Sequence, residues 1–163
     1  MTGEPDEGDL RIPSVSSESS EKMVFLQEQM VNFLRQYQMP VVEVSLVLAK
    51  YTRSLTEELE RHAEQHGESV PVILREPWPL LGVDEEGNKS SSDFDLGRLL
   101  DNLDEDRMDI FDTVLRTAIH QQELVLADAL MQLRQWEHLA RGQLADVTSP
   151  GQLYSPLDVP DEW

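Results

Sequence analysis

The sequence predicts an all-α protein: a bundle of three to four helices, including one long C-terminal helix, between disordered N- and C-terminal tails. Three observations predict it. Apolar residues recur at helical spacing over 23–37, 41–63 and 96–140. From Glu105 to Arg141 no Pro or Gly interrupts the chain. Helix-breaking residues gather instead in 1–20, in the connection 67–92 and in 143–163. The organisation is therefore an acidic tail (1–20), a helical domain (21–142) and a mobile C-terminal tail (143–163).

Residues 1–20 mix acids, Gly, Pro and Ser. They carry too little apolar surface to offset the entropy of ordering them. The first helix begins near Ser19 or Ser20, each a good N-cap. Met23, Leu26, Met30, Phe33 and Tyr37 form its stripe, broadened by Leu34, and Pro40 closes it or opens the next element. The stretch 41–49 carries two patterns. Val42, Val44, Leu46 and Leu48 alternate as in a strand. Val41, Val44, Leu48, Tyr51, Leu55, Leu59 and Ala63 follow a helix. The second pattern runs on to Gly67, a natural residue just past a helix end, so a helix is expected.

Pro71, Pro77, Pro79, Gly82 and Gly87 exclude a regular helix from 67–92, and Val70–Leu74 reads as a short extended piece. The apolar cluster of Val72, Ile73, Leu74, Trp78, Leu80 and Leu81 is expected to pack back across the helices. A connection this long is often functional. A third helix starts at Ser92, with Asp95 completing a capping box, and carries Leu96, Leu99, Leu100 and Leu103. Asp104 offers a fresh N-cap. Beyond it, Met108, Phe111, Leu115, Ala118, Gln122, Val125, Ala129, Leu133, Trp136 and Ala140 trace one face of one long helix or two stacked ones. Ile110, Val114, Leu124 and Met131 flank that face. Apolar flanks of this breadth predict burial on more than one side, in a bundle or at a homo-oligomer interface.

Composition narrows function. The 163 residues carry 32 acids against 13 bases, a formal charge of −19. Nucleic-acid backbones and anionic membranes need clustered Lys and Arg, so neither is the expected partner; a basic protein is. With no cysteine, thiolate catalysis, disulfides and Cys-based zinc sites are excluded. The first residues show no apolar signal region, and no apolar run is long enough to span a membrane, so an intracellular location is expected.

No catalytic constellation emerges. His62 and His66 lie one turn apart, but Ala63 stands where a zincin needs Glu. Favourable placement of His at a helix end explains the pair. Counting an EF-hand from Asp84 puts Lys89 and Asp95 where Gly and Glu are required. No phosphate loop, dinucleotide fingerprint or nucleophile elbow occurs. Enzyme activity, cofactors and metals are not expected.

The block 84–112 holds 11 of the 32 acids among large apolar residues. Much of this is explained by acids favouring helix starts. DFDLGRLLDNL (93–103) also resembles an acidic transcriptional activation segment, which implies Phe94, Leu96 and Leu99 entering a coactivator groove. LGRLL (96–100) is similar to the L-x-x-L-L helix of nuclear-receptor coactivators, which adds Leu100. At the other end, YSPLDVPDEW sets Tyr154, Leu157 and Trp163 among acids, as a peptide captured by a partner would.

These readings converge on a non-enzymatic protein–protein interaction component, an adaptor, scaffold or assembly part that self-associates through its long helix. Two alternatives stand beside it: an acidic mimic of nucleic acid that inhibits a basic nucleic-acid-binding protein, and a transcriptional regulator docking through 93–103. Only Glu123, Asp128 and Glu137 carry negative charge in 113–142, which weighs against the mimic.

Overall fold

The computed structural model describes residues 12–80 and 101–163. Among these the chain is helical: α1 (Ser19–Tyr37), α2 (Val41–Gln65), a single turn α3 (Val72–Arg75), α4 (Glu105–Arg116) and α5 (Leu126–Ala145). A π-type turn, Thr117–Gln121, extends α4, and a 3-10 turn, Pro150–Tyr154, follows α5. No described helix is long and apolar enough to cross a membrane. The expected N-terminal tail lies largely in residues 1–11, outside the described residues. So does most of the expected third helix, and with it Phe94, Leu96, Leu99 and Leu100.

The stripes of α1 and α2 form the core, except that Tyr37 at the end of α1 is exposed. Leu26, Met30 and Leu34 meet Val44, Leu48 and Leu55 in one buried cluster, and the strand-like alternative for 41–49 is not realised. The end of α2 shows why. Gly67 takes a left-handed φ of 69°. Its N–H reaches Glu64 O at 3.2 Å, and the Glu68 N–H reaches Ala63 O at 2.8 Å. These two bonds satisfy the last carbonyls of the helix. Asp104 caps α4 through Oδ1, which accepts from the Arg107 N–H at 3.1 Å.

The stripe from Met108 to Ala140 is not one rod. After the π-type turn the chain breaks at Gln122–Val125, where Glu123 adopts φ 51° and the Leu124 N–H closes on Ile119 O at 2.9 Å. The break re-aims the stripe, which lies in the core on both sides of the corner. Phe111, Leu115 and Ala118 lie below it in the core, and Ala129, Leu133, Trp136 and Ala140 above it, while Val125 at the corner turns outward. α4 then packs on α1 through stacked Phe33 and Phe111, 5.3 Å between ring centres. α5 packs chiefly on α2. Burial of α5 on several sides is thus met within the chain.

Two polar clamps lie among the helices. The Glu43 side chain is fully buried; Arg107 donates to it in fork geometry, Nε to Oε1 at 2.7 Å and Nη2 to Oε2 at 2.6 Å. The Asp104 N–H adds a longer bond at 3.3 Å. This ties α4 to the first turn of α2, and the hydrogen bonds to Glu43 hold the Arg107 guanidinium even more firmly protonated than usual. The second clamp is the buried pair of Arg134 and Glu137.

Candidate interaction site: two straps on helix α5

α5 is flanked by two segments without long helices, 70–80 and 150–163. Each is held largely through its backbone.

The segment 70–80 carries Pro71, Pro77 and Pro79, so it is short of N–H donors and rich in carbonyl acceptors. Buried or covered carbonyls need donors, and α5 supplies them from one face. Arg134, His138 and Arg141 are spaced i, i+4, i+7 and so lie along one stripe. Arg134 Nε donates to Leu74 O at 3.0 Å and its Nη2 to Arg75 O at 2.9 Å. Arg141 Nη1 donates to Trp78 O at 2.6 Å. His138 Nε2 lies 3.3 Å from Pro79 O, within reach of a hydrogen bond to that carbonyl. Trp78 Nε1 closes the segment on itself by donating to Ile73 O at 2.8 Å.

Arg134 is itself buried, which demands a counter-charge. Glu137 provides it, Nη1 to Oε1 at 2.8 Å. Thr52 Oγ1 donates to Glu137 Oε2 at 3.1 Å, and Thr56 Oγ1 accepts from Arg134 Nη2 at 3.2 Å. The network therefore joins α2, α5 and the 70–80 strap.

The strap buries Val70 and Leu74 but not its other apolar residues. Val72 is 58 % exposed and Ile73 53 % exposed. Val72–Arg75 is one helical turn, not the extended piece expected. Its backbone bonds from Leu74, Arg75 and Glu76 back to Pro71 and Val72 turn Leu74 inward and Val72 and Ile73 outward. Glu68 and Glu76, close to them in sequence, are also exposed, and Arg75 Nη2 lies 3.7 Å from Glu76 Oε1. Further along, Leu80 passes over Gly142, where an added Cβ would lie 4.0 Å from Leu80 Cδ2. α5 continues through Gly142 to Ala145 instead of stopping there.

The C-terminal segment, expected as a mobile tail, is seated on the bundle. Leu157 is buried, its N–H donating to Met39 O at 3.0 Å, and Ser155 O accepts from the Val41 N–H at 2.8 Å. Pro40 and Pro156 form an isolated antiparallel bridge between these bonds. The Gln143 side-chain amide pairs with the Asp158 backbone, donating to its O at 2.7 Å and accepting from its N–H at 2.9 Å. Arg35 Nη2 donates to Pro160 O at 3.3 Å. Trp163 meets Trp136 edge to face, ring centres 4.7 Å apart, and Trp136 is fixed by Nε1 donating to Gln27 Oε1 at 2.6 Å. Gln132 donates to the same oxygen. Of the residues expected to present themselves to a partner, Leu157 and Trp163 are thus anchors within the chain. Tyr154 ends the 3-10 turn, half-buried. The physical reason is that the gain from seating Leu157 and Trp163, with a run of backbone bonds, outweighs the ordering of a short segment that its prolines already stiffen.

His62 and His66 lie edge to face, ring centres 4.6 Å apart. Among the described residues no three metal-ligating side chains converge. The stripe of Arg134, His138 and Arg141 was missed by sequence reasoning. Its signal was present: three basic residues on one helical face, paired with a proline-rich connection in need of donors. Compared with family models, curated proteins and solved structures, the chain matches none.

Proposed function

We propose that the chain is a non-enzymatic interaction component whose docking surface is the outer face of the 70–80 strap. The observation that carries this reading is the pairing of outward-facing Val72 and Ile73 with a buried Arg134 that fixes the turn bearing them. Two large apolar side chains exposed on one held turn offer a ready contact, and rigidity lowers the entropy lost on binding. Glu68 and Glu76 lie close to the pair in sequence, Glu76 facing Arg75 at 3.7 Å, and the chain as a whole is strongly acidic. The matching partner is a protein that presents an apolar contact ringed by Lys or Arg. The ion pairs between the elements support a non-catalytic role in the same way. Glu43, Arg107, Arg134 and Glu137 are engaged in holding helices and the strap together.

The test is a comparison of the native chain with a Val72→Ser/Ile73→Ser variant and a control variant, Val24→Ser/Val125→Ser, in quantitative co-purification from the native source. The strap variant is expected to lose its partner at unchanged thermal midpoint, while the control keeps it. Equal recovery by all three chains removes the strap from the function.

A further inference from the structure

The seating of residues 155–163 has the form of a peptide in a receptor. We propose that the groove between α1, α5 and the Met39–Val41 turn is a peptide-binding site, occupied here in cis by the chain's own segment. In trans it would take an extended acidic peptide with Leu and Trp six residues apart and one proline between them.

Four observations carry this. First, the groove reads main chain. Val41 N–H, Met39 O, both ends of the Gln143 amide and Arg35 Nη2 together engage Ser155 O, Leu157 N–H, Asp158 N–H and O, and Pro160 O. Backbone pairing of this kind supplies affinity for extended peptides in general, while side-chain seats give selectivity. Second, two seats are built. Leu157 enters the core cluster, and Trp163 packs edge to face with Trp136, whose ring Gln27 holds by a hydrogen bond. Third, the occupant has no helix of its own past Tyr154, so it leaves without unwinding any described helix. Fourth, a basic side chain serves the acidic end of the segment. Arg35 lies at Pro160, next to Asp161 and Glu162. This surface is distinct from the Val72–Ile73 face, and its test is independent of that reading.

A cis occupant competes at an effective concentration on the order of millimolar. The native chain should therefore bind a second copy of the peptide poorly. A chain whose own segment is loosened should bind it better, because apparent affinity scales with the fraction of open grooves. The probe is a fluorescein-labelled synthetic peptide of residues 154–163, read by anisotropy against the full chain and its Trp163→Ala variant. The variant is expected to bind about ten-fold tighter than the native chain. The same peptide carrying Ala for its Trp is expected to lose most of that binding. Equal binding to the two chains, or indifference to the peptide's Trp, overturns the proposal.

The native chain gives a second readout. The Leu157 and Val41 amides should exchange together, and faster than the amides of Leu133 and Trp136 in α5. Exchange no faster than in α5 means the groove does not open, and overturns it. A concentration-dependent dimer abolished by Leu157→Ala would also overturn it, in favour of segment exchange between two copies.

Discussion

Replacing Arg134 by Met tests the logic of the strap directly. The side chain is 4 % exposed, and four acceptors depend on it: Leu74 O, Arg75 O, Thr56 Oγ1 and Glu137 Oε1. Met fills much of the aliphatic space, so packing loss is small and the electrostatic consequence dominates. Glu137 would remain buried with only the Thr52 hydroxyl as donor. Breaking a buried pair from one side costs about 3–5 kcal/mol. Against a total stability of about 5–15 kcal/mol, that leaves a folded but clearly weakened chain. The double variant Arg134→Met/Glu137→Leu removes the stranded carboxylate as well. A pure ion pair replaced in this way is often neutral. Here the Leu74 and Arg75 carbonyls still lose their donors, so a residual cost of roughly 1–3 kcal/mol is expected, together with faster proteolysis within 70–80. Urea unfolding of the three chains measures both numbers. A single variant costing under about 1 kcal/mol, or a double variant as costly as the single, would refute the assignment of Arg134 as the joint between charge pair and strap.

Two further outcomes follow from the other buried polar groups. Arg107→Ala strands a Glu43 that has no solvent access, whereas Glu43→Gln leaves an Arg107 that is 26 % exposed and able to reach water; the first should cost about 2–4 kcal/mol and clearly more than the second, by urea midpoints. The Tyr51 hydroxyl is buried without a hydrogen-bond partner among the described residues, and burial, followed by the nearby Asp112 carboxylate, raises its pKa. The folded state therefore holds the phenolic proton more tightly than the unfolded chain, whose tyrosine ionises near about 10. Its contribution is complete below that pH and is lost as pH rises above it. Tyr51→Phe should be neutral to about 1 kcal/mol stabilising at pH 7 and should flatten the alkaline fall in urea midpoint; a steeper fall would contradict the burial of the hydroxyl.

The helices of this fold are written in local spacing, and the joints between them are not. The choice of helix over strand for 41–63 rested on a stripe that continued to Gly67, and the left-handed φ of that glycine is the physical reason it worked. The break at 122–125 had no such marker. Glu123 takes a positive φ without being Gly or Asn, and the apolar stripe runs on through Gln122 as if the helix did too. Tertiary packing overrides propensity there: Leu124 and Ala129 are both buried while Val125 is exposed. The seated segment 155–163 was hidden for a related reason. Its prolines and acids have the composition of a free tail. What holds it are Gln143, Arg35 and the Met39–Val41 turn, all remote in sequence and none with a local signature. The strap was half legible: of its expected apolar cluster Leu74 does pack, while Val72 and Ile73 do not and Leu81 lies outside the described residues, and nothing local told Leu74 from its neighbours.

The stripe of Arg134, His138 and Arg141 grips carbonyl oxygens, and every amino acid offers the same carbonyl. The scaffold is therefore nearly indifferent to which letters occupy Val72, Ile73 or Glu76. Foreign recognition sequences could be grafted at those positions with the underlying frame left intact, provided that Leu74 keeps pointing inward and the prolines keep their register.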